Sequence, residues 1–256
     1  MSSQAVSRLT FVGHSTVLIE AGGARLLTDP LLRGGLLGLL RRRHPPVDPD
    51  SLGRIDAILI SHAHHDHLDP RSLRSLPGVP LVVPRGSAAL LRRERREVSE
   101  LAPGESLEIA GVEINAVPAA HPGRRMGSGR PSDALGYLVE ANPRVYFAGD
   151  TDLFEEMGSM GEGLDAALLP VSGWGPRLGP WHLNPRTAAE ALRLLRPRVA
   201  VPIHWGTYTP IGAPRLWPWL HTDPPHRFAE HARRIAPETE VRVLAPGERT
   251  ELEPRG

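Results

Sequence analysis

One nine-residue stretch constrains this sequence more than any other: Ser61-His62-Ala63-His64-His65-Asp66-His67-Leu68-Asp69. It holds four histidines and two aspartates and directly follows the apolar run from Asp56 to Ile60. Imidazole nitrogens and carboxylate oxygens are the ligands that borderline divalent metals prefer. A cluster this dense at the end of a buried strand therefore predicts a metal site. The spacing His62-x-His64-x-Asp66-His67 can serve two metal ions if further ligands come from elsewhere in the chain.

The composition narrows the chemistry that such a site can use. The 256 residues include no cysteine and no lysine, which excludes cysteine ligands, thiolate nucleophiles and a catalytic lysine. The formal net charge of +1 gives no overall bias toward nucleic acid or an anionic membrane. The sequence shows neither the pattern of a signal peptide nor the ~18 uninterrupted apolar residues of a membrane-spanning helix. We therefore expect a cytoplasmic protein with a single domain over residues 1–256.

Short apolar runs separated by turn residues predict many strands with helices between them. A β-meander is predicted over residues 9–28, and further strands at 56–60, 80–84, 105–108, 112–118, 135–140, 144–148, 164–170 and 198–203. Helices are predicted at 184–195, with Asn184 as N-cap and Pro185 at the first position, at 223–235, and at 87–96 with Ser87 as N-cap. This pattern indicates one α/β domain built of packed sheet layers.

The segment from Leu31 to Arg43 joins a glycine-broken run of leucines to a cluster of arginines, and His44-Pro45-Pro46 ends it. One interpretation is a loop that packs its leucines over the core. The other is a flap that makes transient contact with a membrane surface or a lipid-like substrate, because leucines beside arginines suit an interface. The sequence leaves both interpretations open.

Three later residues share one context, because each follows an apolar strand. They are His121, Asp150 and His204. A single histidine after a strand is a weak signal, since such residues are commonly structural. Together with the cluster the three are informative, because ligands held at rigid strand ends suit a preorganised metal site.

The order of these residues resembles the metallo-β-lactamase superfamily over nearly the whole chain. The resemblance rests on Thr28-Asp29-Pro30, the histidine signature, and the three later residues. Phe11 to Ile19 and Trp181 to Pro185 resemble a narrower branch, that of the phospholipase-D-type N-acyl-phosphatidylethanolamine hydrolases and the ascorbate-6-phosphate lactonases. Pro202 to Thr207 agrees with the last ligand motif of that branch. The resemblance implies a four-layer αββα sandwich with the site at one edge.

The resemblance also implies how the ligands divide between two metal ions. His62, His64 and His121 would hold the first ion, and Asp66, His67 and His204 the second. Asp150 would bridge both ions, and His65 is at a variable position where no ligand is expected. Zinc is the leading candidate for both ions, and manganese and iron also suit such nitrogen and oxygen ligands.

Two ions of this kind lower the pKa of a water molecule toward neutrality and polarise a substrate oxygen. Asp66 and Asp150 are expected to orient the nucleophile. His182 is expected to reach the substrate as a hydrogen-bond donor or general acid, the alternative being a surface histidine. His14 either packs behind the ligands or contacts the substrate.

Four further residues are expected to support the site. Ser61, Asp29 and Asp69 are expected to hydrogen-bond the ligand imidazoles from behind. Trp174 is one of five tryptophans in the last third of the chain. These tryptophans either fill the core or form the wall of a substrate pocket.

The sequence thus predicts a metal-dependent hydrolase that cleaves a phosphodiester or a lactone of a small or lipid-like substrate. One alternative is a non-catalytic metal-binding or interaction protein, which the complete ligand set disfavours. A nuclease of the same superfamily is the other alternative. No concentrated basic groove can be identified, so we expect no nucleic-acid partner. The native metal and the formation of a homo-oligomer are left open.

Overall fold

A computed structural model describes residues 6–125, 131–175 and 178–255. Within these ranges the chain forms two seven-stranded sheets and a separate three-stranded sheet. The strands are β1 Ser7–Gly13, β2 Thr16–Ala21, β3 Ala24–Thr28, β4 Gly35–Leu36, β5 Leu40–Arg42, β6 Ala57–Leu59, β7 Leu81–Pro84, β8 Val98–Leu101, β9 Ser106–Ile109, β10 Val112–Pro118, β11 Leu135–Glu140, β12 Val145–Phe147, β13 Ala166–Pro170, β14 Val199–Ile203, β15 Tyr208–Pro210, β16 Glu240–Val241 and β17 Arg249–Leu252. The α-helices are α1 Pro70–Arg74, α2 Met157–Met160, α3 Pro185–Leu195, α4 Ala213–Leu216 and α5 Asp223–Ile235, and 3₁₀ turns cover Pro49–Leu52, Ala88–Leu90 and Pro218–His221.

Both large sheets are mixed. The first has the order β17-β1-β2-β3-β6-β7-β8; its strands are antiparallel from β17 to β3 and parallel from β3 to β8. The second has the order β16-β14-β13-β12-β11-β10-β9; it is parallel from β16 to β12 and antiparallel from there to β9. In the second sheet β10, β12 and β14 therefore run in the same direction.

The main core lies between the two sheets. Phe11 and Ile19 of the first sheet belong to the same buried cluster as Tyr137, Phe147 and Val201 of the second. Strand β10 shows why the sheets pack this way, since its buried residues alternate with more exposed ones along the strand. Each sheet thus presents one apolar face to the other.

Helices cover the outer faces of both sheets. On the second sheet, Leu192 of α3 and Phe228 of α5 pack with Tyr146 of β12. On the first sheet, Leu73 of α1 packs with Ile58 of β6. The order helix, sheet, sheet, helix confirms the predicted four-layer αββα sandwich.

Two of the three predicted long helices are present. Helix α3 begins after Asn184, whose Oδ1 accepts hydrogen bonds from the backbone nitrogens of Arg186 (2.9 Å) and Thr187 (3.2 Å). Helix α5 has the predicted bounds. The helix predicted over 87–96 is wrong, because only Ala88–Leu90 forms a 3₁₀ turn and Ser87 makes no side-chain cap.

The segment after Pro30 is a β-hairpin rather than a loop. Strands β4 and β5 pair with each other, and β5 also pairs with β15. Leu36 and Leu40 are buried in a small cluster with Tyr208, which agrees with the packing of leucines over the core. Arg42 is buried as well, and its guanidinium donates to the carbonyl oxygens of Val12 (2.8 Å), Leu31 (3.1 Å) and Pro45 (3.1 Å). These hydrogen bonds fasten the hairpin to the first sheet.

None of the helices formed by the described residues is long and apolar enough to cross a membrane.

Candidate metal centre

The site is built where four strands from both sheets end. Strand β6 leads to the histidine cluster, β10 to His121, β12 to Asp150 and β14 to His204. Because β10, β12 and β14 run in the same direction, their carboxyl ends lie at one edge of the second sheet. The first sheet joins this edge where the hydroxyl of Tyr137 donates to the carbonyl oxygen of Ile60 (2.7 Å).

Three ring nitrogens form the first set of potential ligands. Nδ1 of His64 lies 2.9 Å from Nε2 of His62 and 3.2 Å from Nε2 of His121. The three atoms lie within 4.8 Å of one another. Three imidazole nitrogens so close together are a donor set that a divalent metal can use.

A second set surrounds Asp66. Its Oδ2 lies 3.4 Å from Nε2 of His67 and 3.3 Å from Nε2 of His204. Oδ2 of Asp150 lies 3.3 and 3.4 Å from the same two nitrogens. Asp150 also belongs to sets with His62 and His67 and with His121 and His182. Its carboxylate therefore lies between the two sets.

Hydrogen bonds on the outer side fix the orientation of several imidazoles. Nδ1 of His204 bonds to the carbonyl oxygen of Ser172, and Nδ1 of His121 bonds to that of Trp181, each at 2.9 Å. Because a carbonyl oxygen only accepts, each Nδ1 carries a hydrogen, and in the neutral imidazole Nε2 keeps the lone pair that can bind a metal. Nδ1 of His67 bonds to Oδ2 of Asp29 at 2.7 Å. Such outer hydrogen bonds are typical of histidines that bind metals.

The inward-facing atoms test whether these residues suit a metal. Nε2 of His67, Nε2 of His204 and Oδ1 of Asp150 are buried, and no hydrogen-bond partner for them occurs among the described residues. Buried polar atoms are nearly always paired, so three orphans at one place require an explanation. A divalent cation satisfies all three. The donor set therefore fits the metal ions that the sequence predicts.

The charges at the site also favour bound cations. Burial would raise the pKa of Asp66 and of Asp150, yet the neighbouring histidines hold both pKa values well below their ordinary range. Burial lowers the pKa of His121 to about 4. The carboxylates are thus ionised and His121 is neutral at neutral pH, which are the states that bind metal.

Burial also acts against a charge on His67, but Asp150, Asp66 and Asp29 raise its pKa well above its usual value. Positive charge is favoured among these carboxylates.

Two side chains that are not predicted ligands hold the carboxylate of Asp66, and one of them, His14, belongs to the same group of potential ligand atoms as Asp66, His67 and His204. Nε2 of the buried His14 lies 2.9 Å from Oδ2 of Asp66. The indole Nε1 of Trp174 donates to the same oxygen at 3.1 Å. His14 therefore lies behind the predicted ligands, while Trp174 both supports Asp66 and lines the pocket above it.

Ser61 and Asp29 form a connected support under the cluster. Oγ of Ser61 lies 3.0 Å from Nδ1 of His62 and donates to Oδ2 of Asp29 at 2.6 Å. Oδ1 of Asp29 also accepts from the backbone nitrogen of Ser61 at 2.7 Å. One buried carboxylate thus orients a ligand imidazole and the start of the cluster together.

Asp69 corrects an expectation from the sequence. Its Oδ2 accepts from the backbone nitrogen (3.1 Å) and hydroxyl (2.8 Å) of Ser72, and it pairs with Nε of Arg33 at 2.9 Å. The residue is therefore the N-cap of α1 rather than a support for an imidazole. The Asp69-Pro70 pair itself indicates this capping role, because aspartate before proline is typical of a helix start.

His182 and His65 lie beside the predicted ligands, and His182 also belongs to the set with His121 and Asp150. Nε2 of His182 is 3.6 Å from Oδ2 of Asp150, and its side chain is 26% exposed at the pocket wall. The position is thus at the candidate site and not on a remote surface. Nδ1 of His65 lies 2.6 Å from a guanidinium nitrogen of Arg125, and His65 belongs to none of the four ligand sets.

A cavity of about 350 Å³ opens above these residues. His64, Asp66, Asp150 and His204 form its floor, and Leu37 and Trp174 are among its walls. The combination of an apolar wall with a few convergent polar groups is typical of a site for a small molecule.

Strained backbone surrounds the site. His14, Asp29 and His204 all have positive φ angles, of 58°, 33° and 59°. Non-glycine residues in this region cost on the order of 1–3 kcal/mol each and cluster at functional sites. Gly149, before Asp150, has φ 61°, and a Cβ there would lie 2.4 Å from Cβ of Ser61. The backbone is thus constrained around the predicted ligands, a feature that no sequence pattern predicts.

Comparison with known proteins agrees with this geometry. Residues 24–205 match the family model described as the beta-lactamase superfamily domain. A metal-dependent hydrolase of Opitutus terrae is 36% identical and covers 96% of this chain and 100% of its own length. The N-acyl-phosphatidylethanolamine-hydrolyzing phospholipase D 1 of Caenorhabditis elegans is 33% identical over 79% of this chain and 64% of its own length. The structure of Igni18, a metallo hydrolase from Ignicoccus hospitalis, superposes with a TM-score of 0.72 and 27% identity, covering 98% of this chain and 100% of that one.

Proposed function

Given that the chain belongs to the metallo-β-lactamase superfamily and is one of its metal-dependent hydrolases, we propose that it holds two divalent metal ions. Zinc is the leading candidate. The proposed reaction is hydrolysis of a phosphodiester, or of a lactone, in a small or lipid-like substrate. The observation that carries the proposal is the group of three buried atoms, on His67, His204 and Asp150, that have no hydrogen-bond partner among the described residues.

The ligands divide into two groups. His62, His64 and His121 form the first group. The second group consists of Asp66, His67 and His204. Asp150 serves both groups, because its carboxylate lies between the two sets of atoms. When bound, the ions would supply a hydroxide near neutral pH and polarise the oxygen of the scissile bond.

Asp66 has a further role in positioning the nucleophile. The hydrogen bonds from His14 and Trp174 fix the direction of its Oδ2. A carboxylate that is ionised and immobile can hold an attacking water in one orientation. Asp150 is similarly ionised and buried, and its Oδ2 lies 3.3 and 3.4 Å from Nε2 of His67 and His204.

His182 is placed to contact the substrate. Its Nδ1 bonds to the carbonyl oxygen of Pro180 at 2.9 Å, so Nδ1 carries a hydrogen and Nε2 faces Asp150 and the cavity. When protonated, Nε2 can donate to an oxygen of the scissile bond or of the leaving group. We therefore assign His182 as a hydrogen-bond donor or general acid.

Of the two proposed substrate classes, a phosphodiester and a lactone, we favour the phosphodiester. The Caenorhabditis elegans relative is named as an enzyme that hydrolyses a phospholipid. The apolar wall of Leu37, Trp174 and Leu178 beside the polar floor also suits a substrate with one apolar part. A lactone needs the same nucleophile, so only an assay separates the two classes.

The test combines metal analysis with paired substrate panels. The purified protein should contain two ions per chain and hydrolyse members of a phosphodiester panel, or of a lactone panel. The double variant His121→Ala, Asp150→Ala should retain fewer than one ion per chain and lose activity by orders of magnitude. His65→Ala, in the same motif, is the matched control and should keep both ions. Two ions retained in the double variant would overturn the ligand assignment, and a fully loaded protein inactive on both panels would overturn the substrate class.

A further inference from the structure

An apolar tip lies at the mouth of the metal-site cavity. It consists of Leu37 and Leu39, in the turn between β4 and β5, and of Ile211, directly after β15. These side chains are 50%, 67% and 67% exposed. The backbone nitrogen of Ile211 donates to the carbonyl oxygen of Leu39 at 3.1 Å, which holds the two segments together. All three residues and Trp174 line a shallow apolar depression, and Leu37 and Trp174 also line the metal-site cavity.

Leu37 occupies a position where leucine is unfavourable for the backbone. The turn is closed by a hydrogen bond from Leu39 to Leu36, and Leu37 and Gly38 have φ angles of 54° and 71°. A two-residue turn of this kind favours asparagine and glycine. Neither turn geometry nor burial explains a half-exposed leucine there. Its exposed side chain is therefore available for contact with a ligand or a surface outside the core.

The two sequence segments that carry the tip contain no negatively charged residue. Residues 30–47 and 205–222 include no aspartate or glutamate, although the whole chain has 29 acidic residues. Arg41 and Arg43 are exposed, and within the described part of the chain neither side chain is ion-paired. On β5 the neighbours Leu40 and Arg42 are buried, so Arg41 points away from the core. Exposed leucines beside unpaired arginines complement an anionic lipid surface.

We propose that Leu37, Leu39, Ile211, Arg41 and Arg43 form a docking face for an anionic lipid surface. The leucines and the isoleucine enter the boundary between headgroups and acyl chains, and the two arginines contact lipid phosphates. The three-stranded sheet and the buried Arg42 hold the face rigid. Docking directs the mouth of the metal-site cavity toward the lipid. Entry of a lipid-like substrate from that side rests on the proposed function, whereas the docking does not.

The test is sedimentation of the metal-loaded, full-length protein with lipid vesicles. Vesicles of phosphatidylcholine and phosphatidylglycerol in roughly equal amounts are compared with vesicles of phosphatidylcholine alone, at about 0.1 M salt. The wild-type protein should bind the anionic vesicles, and added salt should weaken the binding. Leu39→Ser with Ile211→Ser, and separately Arg41→Glu with Arg43→Glu, should each lower the partition coefficient by about tenfold or more.

The matched control is Arg92→Glu with Arg93→Glu, which makes the same charge change at two exposed arginines near edge strand β8. This control variant should bind anionic vesicles more tightly than the variant that carries Arg41→Glu and Arg43→Glu. Metal content and circular dichroism establish that every variant is folded. Equal binding by all variants, or no binding by the wild type, would overturn the proposal. It would also fail if light scattering shows a wild-type oligomer that the Leu39, Ile211 variant dissociates while vesicles bind neither protein. Hydrolysis of a dissolved substrate, measured without vesicles, tests the proposed function separately.

Discussion

Nε2 of His14 lies 2.9 Å from Oδ2 of Asp66, although 52 positions separate the two residues in the sequence. His14 enters the site from the turn between β1 and β2, and Asp66 from the cluster after β6. Burial lowers the pKa of His14 to about 4, so the imidazole is neutral and donates its hydrogen to the carboxylate. The first hairpin of the fold thus fixes the direction of a predicted metal ligand.

Replacement of His14 should selectively weaken the binding of the second metal ion, the one assigned to Asp66, His67 and His204. In His14→Phe the carboxylate of Asp66 loses a donor, so we expect about a 10- to 100-fold loss in affinity for that ion. His14→Gln, which can restore a donor, should recover part of the loss. Competition titration with a chelator measures both affinities. An equal loss of both ions would show that His14 supports the fold and not Asp66 in particular.

The variant Asp29→Asn should disturb His67 and Ser61 together. The amide removes the charge that bonds to Nδ1 of His67 and changes the oxygens that accept from Ser61. We expect affinity for the second ion to fall by about 10- to 100-fold. Isothermal titration of the metal-free protein measures the change. Asp48→Asn, at an exposed 3₁₀ cap, is the control and should leave metal affinity unchanged.

The variant His182→Gln should separate catalysis from metal binding. Both ions should stay bound, because His182 is not among the assigned ligands, while kcat falls by about 10²- to 10⁴-fold through loss of the proton donor. Metal analysis and steady-state kinetics on the same preparation measure the two effects. Loss of one ion in this variant would instead identify His182 as a ligand.

Replacing the neighbours Arg42 and Arg41 should have very different effects on the free energy of unfolding. Arg42→Met removes a buried guanidinium that donates to three carbonyl oxygens, so the free energy of unfolding should fall by about 2–3 kcal/mol. Arg41→Met changes an exposed side chain and should shift that free energy by less than about 0.5 kcal/mol. Urea denaturation measures both. Similar values for the two variants would contradict the anchoring role of Arg42.

The sequence was sufficient wherever a local pattern determines the structure. Asn184 followed by Pro185 marked the start of α3, because a side-chain acceptor and a fixed φ both favour a first helical turn. The apolar runs before His121, Asp150 and His204 identified strand ends, and parallel strand directions then brought those ends together. The α/β layers and the strand ends that carry the predicted ligands therefore followed from short stretches of sequence, whereas the four-layer sandwich followed from the family resemblance.

The sequence was insufficient wherever a tertiary contact determines the structure. The helix predicted over 87–96 is absent, and the guanidinium of Arg96 instead donates to the carbonyl oxygens of Leu73 and Leu76 at the end of α1. The orientation of His121 and His204 depends on the carbonyl oxygens of Trp181 and Ser172, and a backbone acceptor has no sequence signature. The bond from Trp174 to Asp66 likewise crosses a long separation that no local pattern records.

Neither sheet holds a complete set of ligands by itself. The histidine cluster follows a strand of the first sheet, and His121, Asp150 and His204 follow strands of the second. A nascent chain that has emerged only as far as β8 therefore presents half a site. Because full coordination would require the two sheets to be docked in register, we expect tight metal capture to come late in folding. In a chain without cysteine, the bound ions would then act as the cross-link that locks the finished sandwich.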